Sequence, residues 1–419
     1  MLEQLEEGFN ISLDMTTKLK ILVVENSNWM GHFPLQSHHL MELLAKRGHH
    51  IIVLDYDDQW RLTTSNRVNL IKTRIYENYK RIYEGPGVTV IRPGMIPVPI
   101  LSLLSASIAQ SILMWKMIIN KVDIVLSYSI GPSTIPLLFL CKKNKKPFVF
   151  HSFDVLHHLV KLRLKMPIVR LLEKIVYSNA DIIVTISPSL NRYIQTLGVS
   201  NEKCYFIPPG VNINLFKPTN NSDQLREKWG LNKDDKVVLF VGRLFEFSGL
   251  DMIVKSMPRI LKSIPNAKLI IVGDGPLESK LVMLKKILNL DGTVKLLGKQ
   301  PYFLVPEIMS ISDLCINPFK PHIISDFAFP SKIIEYMACG KAVLATNLPG
   351  TVSVLNNVPG VILTDYRSFV DHLIRLLKDE SLLKLLGKQA RLSAEKYFSF
   401  DIILPKFEKI LADLLSNRK

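Results

Sequence analysis

The sequence has few cysteines. Only four occur among 419 residues, at Cys141, Cys204, Cys315 and Cys339, and no two of them form a Cys-x-x-Cys pair. This scarcity argues against a disulfide-bonded secreted domain and against a zinc site built from cysteine pairs. We therefore expect a reduced, metal-free cytosolic protein.

The chain also lacks a low-complexity tract and a recognisable signal peptide. Its first 17 residues, MLEQLEEGFNISLDMTT, are acidic, and no basic segment precedes an apolar run. We expect residues 1–17 to form a flexible N-terminal extension. Hydrophobic residues make up 47% of the sequence and charged residues 21%, which is typical of an ordered globular protein. The length is sufficient for two domains with full cores.

Acidic residues are scarce in part of the first half. Residues 60–203 contain 20 Lys and Arg but only 7 Asp and Glu, a net charge of +13, which leaves +3 of the total +16 for the rest. Such an excess suits nucleic acid, an anionic membrane or a phosphorylated substrate. No zinc-finger spacing or other nucleic-acid-binding module accompanies it, so we expect no nucleic-acid partner.

One long uncharged run is present, PVPILSLLSASIAQSILMW at residues 97–115. It contains prolines and serines and is of borderline length for a membrane span. We expect a buried or interfacial helix, with a spanning helix as the alternative. Together with the basic excess, this run predicts an anionic membrane surface as a partner, and hence a cytoplasmic protein that is peripheral on the inner face of the membrane.

Strand-like segments alternate with amphipathic helical stretches along the whole chain. Twelve such segments occur: KILVVE, HHIIVLD, VTVIRP, VDIVLSY, PFVFHSF, ADIIVTIS, KVVLFVGRL, AKLIIVGDG, TVKLLGK, DLCINPF, KAVLAT and GVILTD. The alternation predicts an α/β fold with parallel sheets and covering helices. Twelve strands are too many for one ordinary open sheet. We therefore predict two facing, doubly wound, Rossmann-like domains with an interdomain cleft, where ligands bind beyond the carboxyl ends of the strands.

The predicted domain boundary lies in FIPPGVNINLFKPTNNSD at residues 206–223, which is rich in Pro, Gly and Asn. We assign residues 18–207 to an N-terminal Rossmann-like domain, 208–223 to a linker and 224–397 to a C-terminal Rossmann-like domain. Residues 398–419 are expected to form a C-terminal helix, which we consider able to pack back on the N-terminal domain.

The segment FAFPSKIIEYMACGKAVLAT, residues 327–346, reads as a loop, a short helix, a glycine stop and a buried strand. Glu335 is the one carboxylate in this helix, and it lies one helical turn from Ser331. Two interpretations are open. Glu335 is either a solvated residue paired with Lys332, or a ligand-binding residue.

Taken together, these segments resemble the family 4 glycosyltransferases, which have the GT-B fold. The resemblance covers residues 18–415 and rests on LLAKRGHHIIVL, VFHSFD, TISPS, IPPGVNINLFKP, FVGRL, IVGDGP, VKLLG and PSKIIEYMACGKAVLAT, in the family's order. It implies a metal-independent hexosyltransferase without a cofactor. Such an enzyme moves a sugar with retention from a nucleoside diphosphate donor to an acceptor hydroxyl on a lipid-linked or cell-surface glycan.

The resemblance also implies roles for individual residues. Glu335 matches the glutamate that binds the donor ribose, and Arg243 matches the arginine that stabilises the leaving diphosphate. His151 matches a histidine near the donor sugar and the acceptor, with Asp154 as a weaker candidate in the same turn. The implied catalytic residues are Arg243, Glu335 and His151, and the implied donor-binding residues are Gly31, Gly242, Arg243, Pro330, Ser331, Lys332 and Glu335.

Three positions depart from the family's pattern. His32 follows Gly31 where a second glycine is common, Ser248 replaces a phosphate-site lysine, and Phe327 replaces the first of two glutamates. Lys332 is a candidate substitute for the missing charge, Asp326 for the missing carboxylate through a shifted loop, and Ser248 itself is a weaker candidate. These departures keep an alternative open, a catalytically inactive GT-B relative that binds a glycan, a lipid or a partner subunit.

Overall fold

All twelve strand-like segments form strands, and they belong to two separate sheets in the computed structural model. The structure describes residues 18–31, 33–57, 70–99, 101–159, 166–219 and 222–416; the extension expected at residues 1–17 lies outside them. The chain divides into two units, each with one sheet. Unit 1 lies within Met1–Ile186, Leu190–Ile207 and Leu404–Lys419, and unit 2 within Ser187–Ser189 and Pro208–Ile403.

The sheet of unit 1 has eight strands in the order β3-β4-β2-β1-β5-β6-β7-β8. They are β1 Lys20–Val24, β2 His50–Leu54, β3 Arg74–Tyr79, β4 Val88–Arg92, β5 Ile124–Ser127, β6 Phe148–Ser152, β7 Ile182–Thr185 and β8 Cys204–Phe206. All neighbours are parallel except β3, which pairs antiparallel with β4. Sequence analysis missed β3 and β8, because these edge strands are short or polar and lack a continuous apolar run.

Between β1 and β8 the described residues contain five α-helices: α1 Gln36–Lys46, α2 Leu101–Ile119, α3 Thr134–Lys143, α4 Met166–Asn179 and α5 Pro188–Thr196. The final helix, α15 Phe400–Ser416, belongs to unit 1 from Leu404 onward. Its Glu408 is buried, accepts a hydrogen bond from His49 Nε2 at 3.0 Å when that nitrogen is protonated, and pairs with Arg47. These contacts of Glu408 join the last helix to the rest of unit 1.

The sheet of unit 2 has six parallel strands in the order β11-β10-β9-β12-β13-β14. They are β9 Lys236–Val241, β10 Ala267–Val272, β11 Val294–Gly298, β12 Leu314–Asn317, β13 Ala342–Thr346 and β14 Val361–Thr364. The helices are α6 Ser222–Lys228, α7 Leu250–Ser263, α8 Glu278–Ile287, α9 Val305–Ser310, α10 Ile323–Phe327, α11 Lys332–Ala338, α12 Pro349–Leu355, α13 Phe369–Lys378 and α14 Glu380–Ser393.

The strand order of unit 2 determines where a ligand can bind. From β9 the chain proceeds outward to β10 and β11, whereas β12, β13 and β14 extend the sheet on the other side of β9. The two series of connections diverge between β9 and β12, which makes this the topological switch point of the sheet. In open parallel sheets the crevice at the carboxyl end of the switch point is the usual ligand site.

Candidate functional site

The switch point of unit 2 contains a lysine from helix α11. The Lys332 ammonium lies 3.9 Å from the ring centroid of Phe240 in β9 and 4.9 Å from that of Phe319, which follows β12. Both contacts are cation–π interactions, in which the negative ring faces attract the ammonium. A positive charge is therefore held between the two strands where the crevice begins.

Gly242, the first residue after β9, allows this lysine to approach the strand. Its φ is +137°, and a Cβ atom at this position would lie 2.5 Å from the Lys332 Nζ atom. Only glycine combines that backbone conformation with that approach. Sequence analysis placed Gly242 and Lys332 in the donor site, and the structure brings the two together.

Glu335 lies one turn beyond Lys332 in α11, and both side chains are half-buried. Burial raises the pKa of Glu335 to about 7, although the charge of Lys332 opposes the rise. Burial likewise lowers the pKa of Lys332 to about 7, against the effect of Glu335. Each charge thus opposes the effect of burial on the pKa of the other group, and both interpretations of Glu335 stay predictions.

Tyr336 anchors α11 to the sheet. Its hydroxyl oxygen accepts a hydrogen bond of 2.8 Å from the backbone N–H of Val241, the last residue of β9, and its side chain is fully buried. The helix that carries Lys332 and Glu335 is thereby fixed to the strand end that carries Gly242. Sequence analysis made no prediction for Tyr336.

Arg243 lies at the same strand end and is open to solvent. Its Nη1 atom is 2.7 Å from Asp274 Oδ2, and the two side chains are 55% and 46% exposed. Asp274 follows β10, the neighbouring strand, so the pair joins two adjacent strand ends. Sequence analysis quoted the segment IVGDGP but did not identify Asp274 as the partner of Arg243.

The structure places Ser248 in the core and Asp326 in a helix. Ser248 is fully buried, and within the described residues its hydroxyl has no hydrogen-bond partner. Contact of Ser248 with a donor phosphate stays a prediction. Asp326 lies in the short helix α10, which ends at Phe327, and not in the shifted loop we expected. Its side chain is half-buried, and burial raises its pKa.

Pro330 and Ser331 form the turn before α11, and both are half-buried. The Ser331 side chain makes no capping hydrogen bond to the helix. The expected succession of short helix, stop and buried strand is confirmed, since α11 ends before Gly340, whose φ is +68°, and all of β13 is buried.

The candidates from unit 1 differ in accessibility. Gly31 is exposed, and its N–H donates to Asn28 Oδ1 at 2.8 Å. His151, in β6, is only 2% exposed, because the rings of Tyr128, Phe153 and Phe407 pack around it. Burial lowers the pKa of His151 to about 3, which makes the ring neutral at physiological pH.

Neither ring nitrogen of His151 has a hydrogen-bond partner among the residues that the structure describes. A sugar hydroxyl cannot reach the ring in this arrangement without movement of an aromatic neighbour, so contact of His151 with a ligand stays a prediction. Asp154, two residues beyond β6, is half-buried, and burial raises its pKa to about 7.

Sequence analysis also missed a polar cluster at the carboxyl ends of β1, β2 and β4. Arg92 donates from Nη2 to Asp55 Oδ2 at 2.7 Å and to Asn28 Oδ1 at 2.6 Å, and its Nη1 lies 3.3 Å from Asp57 Oδ2. No local spacing indicates this cluster, since its members come from three separate strand ends.

Two doubly wound sheets, parallel except for the edge strand β3, are the architecture of the GT-B fold. The crystal structure of Anabaena HepE in complex with UDP has this fold. It matches with a TM-score of 0.71 and 18% identity, over 94% of this chain and 100% of HepE.

The family follows from two sequence models. The model described as Glycosyltransferase Family 4 matches residues 36–215, and that described as Glycosyl transferases group 1 matches residues 221–393. The chain belongs to glycosyltransferase family 4, as the resemblance of its motifs indicated.

Curated relatives are similar over part of their length. The N-acetyl-alpha-D-glucosaminyl L-malate synthase of Bacillus anthracis is 27% identical over 57% of this chain and 61% of its own. The UDP-Gal:alpha-D-GlcNAc-diphosphoundecaprenol alpha-1,3-galactosyltransferase of Escherichia coli is 28% identical over 54% of this chain and 58% of its own. In both cases the match spans less than two thirds of the relative.

Proposed function

We propose that this protein is a retaining, metal-independent glycosyltransferase of the hexosyl type. It moves a sugar from a nucleoside diphosphate donor to an acceptor hydroxyl. The observation that carries this proposal is the pair of basic side chains at the end of β9, where Arg243 is solvent-accessible and Lys332 lies beside Gly242. Two basic side chains at the switch point of a parallel sheet suit a diphosphate, whose charge favours the protonated form of Lys332.

The proposed chemistry uses these charges during departure of the leaving group. As the bond between the sugar and the diphosphate breaks, negative charge grows on the diphosphate oxygens. Arg243 and Lys332 stabilise that charge more strongly than they stabilise the bound donor, which lowers the barrier. When the diphosphate binds, Arg243 must either release Asp274 or contact both anions, because the two compete for one guanidinium.

Glu335 is proposed to bind the donor ribose. Its carboxylate can accept hydrogen bonds from two neighbouring hydroxyls. A bound diphosphate favours the charged form of Lys332, and the charged lysine in turn favours the ionised form of Glu335. Donor binding thus promotes the protonation states that the proposed contacts need. Gly31 keeps the role implied by the family, close approach to the donor phosphates. His151 is proposed to contact the donor sugar once one of the aromatic rings around it moves.

For the acceptor we propose a lipid-linked or cell-surface glycan. The name of the Escherichia coli relative specifies a diphosphoundecaprenol-linked sugar as its acceptor, which supports a lipid-linked molecule here. We further propose that the protein works in the cytoplasm, peripherally on the inner face of the membrane. The net charge of +13 in residues 60–203 supports this location, because basic residues are attracted to anionic lipids.

A panel of UDP, GDP and ADP sugars tests the proposal in two measurements. A true donor at a hundred times its Kd should raise the free energy of unfolding by about 2.7 kcal/mol, which thermal denaturation detects. The same donor should release free nucleoside diphosphate when an acceptor is present. An inactive relative would bind a donor or a glycan without releasing nucleoside diphosphate, and absence of both signals across the panel would overturn the assignment.

A further inference from the structure

Helix α2 (Leu101–Ile119) buries several polar residues beside Ala106, Met114 and Ile118, and it exposes a row of large apolar residues. Ser102, Ser107 and Gln110 are buried, and Gln110 Nε2 donates to the backbone carbonyl of Asp55 at 3.0 Å. The outward residues recur at helical spacing and are all exposed: Leu101, Leu104, Ile108, Ile112, Trp115 and Ile119. Helices on the surface of soluble proteins normally show the opposite arrangement.

The apolar surface continues onto helix α3 (Thr134–Lys143), which packs beside α2. Ile135 and Phe139, one turn apart on α3, are 41% and 65% exposed. A groove of about 500 Å³ lies between the two helices, lined mainly by Ile108, Ile112, Trp115 and Phe139. The outward side chains of α2 and α3 therefore form one continuous apolar face, which we call the α2–α3 face.

Basic residues predominate in the part of the sequence that contains α2 and α3. Asp123 is the only acidic residue between positions 85 and 153, and its carboxylate accepts a hydrogen bond from the Lys20 N–H at 2.6 Å. The same stretch contains seven basic residues. Of these, Lys116, Lys142 and Lys143 are exposed near the carboxyl ends of α2 and α3. An apolar face with exposed lysines on its own helices complements a bilayer of anionic lipids.

Of the described helices, α2 is the one whose length and hydropathy would allow it to cross a membrane. Its packing argues against a span, because its inward face carries Gln110 hydrogen-bonded to the end of β2. A spanning helix would lose that contact and expose two buried serines to lipid. Trp115 and Lys116 are typical of the membrane interface, where an amphipathic ring and a long cationic side chain meet the headgroups.

We propose that the α2–α3 face inserts into the interfacial layer of an anionic bilayer, with α2 in the plane of the membrane. The outward apolar side chains enter the acyl region, and the lysines contact the lipid phosphates. This inference rests on the membrane location proposed above and names the surface that contacts the membrane. It is independent of the donor site in unit 2.

Flotation with vesicles of phosphatidylcholine containing a minority of phosphatidylglycerol tests this surface. The double substitution Ile108→Ser, Ile112→Ser should weaken vesicle binding by about tenfold or more, since two exposed apolar side chains are lost from the acyl region. Lys142→Ala with Lys143→Ala should weaken it about fivefold for each lysine and reduce its salt dependence. Pure phosphatidylcholine vesicles should bind the wild type less tightly.

Helix α14 (Glu380–Ser393) offers a matched control. Leu385 and Leu392 are 53% and 65% exposed, similar to Ile112 at 49% and Ile108 at 63%. The double substitution Leu385→Ser, Leu392→Ser should leave vesicle binding unchanged. All variants should keep the wild-type Tm and its rate of nucleoside diphosphate release with a water-soluble acceptor, because the substituted side chains are exposed and lie outside the donor site.

The possible outcomes separate this inference from the proposals on which it rests. If the wild type binds anionic vesicles and the Ile108, Ile112 variant binds equally well, the α2–α3 face is not the docking surface. If gel filtration shows a wild-type dimer that this variant dissociates, and vesicle binding is unchanged, a second copy of the chain covers the face and the inference is wrong. A wild type that binds no vesicles overturns both the surface and the membrane location, whereas nucleoside diphosphate release reports on the transferase separately.

Discussion

The Lys332 ammonium occupies the space that a side chain at position 242 would need. A Cβ atom on Gly242 would lie 2.5 Å from Lys332 Nζ and 2.9 Å from its Cε. The ammonium also stacks on the ring of Phe240, which is in the strand that ends just before Gly242. Because Gly242 has no side chain, the Lys332 ammonium can lie against the end of β9.

The substitution Gly242→Ala should displace Lys332 and destabilise unit 2. The new methyl group collides with the lysine, and an alanine at φ +137° is strained, so we expect a loss of about 1–3 kcal/mol in the free energy of unfolding. Urea denaturation measures this loss. Gly292→Ala is the matched control, since its Cβ would meet nothing within 4 Å. Equal stability of the two variants would contradict the packing described here.

The substitution Arg243→Ala should lower turnover by two to three orders of magnitude. One preorganised donor to a developing anion typically contributes about 3–4 kcal/mol to the transition state. Arg259 is a suitable control, because it is 61% exposed and pairs with Asp371, much as Arg243 is 55% exposed and pairs with Asp274. Steady-state kinetics should show a large effect only for Arg243→Ala. Similar kinetics of the two variants would remove Arg243 from the mechanism.

The parallel strands could be predicted from the sequence, because strands that are buried on both faces are continuous apolar runs. The edge strand β3 could not, since its residues are mostly exposed and alternate irregularly. Gly242 and Lys332 come together because Gly242 follows β9 and the helix of Lys332 lies beyond β12, the strand next to β9 in the sheet.

Sequence analysis could not predict side-chain contacts between strands and helices that are distant in the sequence. Asp274 and Tyr336 approach the end of β9 from a neighbouring strand and from a helix, and no short spacing indicates either contact. The same limit applies to His151. Its position in a strand was evident, but the ring of Phe407, which helps to bury it, comes from the last helix of the chain.

The substitution Tyr336→Phe should destabilise unit 2 and impair the donor site. It removes the acceptor of the Val241 N–H and leaves that group buried without a partner, at a cost of about 1–3 kcal/mol. Because Tyr336 holds α11 against β9, donor affinity should fall as well. Tyr205→Phe, at a residue that is 40% exposed, is the control. Unchanged urea midpoint and donor affinity in Tyr336→Phe would show that the hydrogen bond does not position the helix.

The substitution Lys332→Met should distinguish the effect of the lysine's charge from the effect of its packing. Methionine keeps most of the aliphatic volume beside Phe240 but removes the ammonium. We expect turnover to fall by about ten- to a hundredfold, while stability stays equal or rises, because burying a charge is costly. Lys255→Met, at an exposed position on α7, controls for loss of one positive charge. If both variants keep full turnover, Lys332 does not replace the missing phosphate-site lysine.

The substitution Glu335→Gln should change how stability depends on pH. Burial raises the pKa of Glu335 from its ordinary value of 4.5 to about 7, so the folded protein binds this proton more tightly than the unfolded chain does. The resulting stabilisation is fully present below pH 4.5 and is lost as the pH rises to 7. Urea denaturation across this window should therefore show wild-type stability falling relative to that of Glu335→Gln.

Lys332 affects stability at higher pH than Glu335 does. Its pKa is lowered from 10.5 to about 7, and the cost of burying its charge disappears as the pH rises between those values. Glu227→Gln, at an exposed position on α6, controls for loss of one carboxylate. A wild type whose stability stays parallel to that of Glu335→Gln from pH 4.5 to 7 would show that Glu335 is not held in a desolvated site.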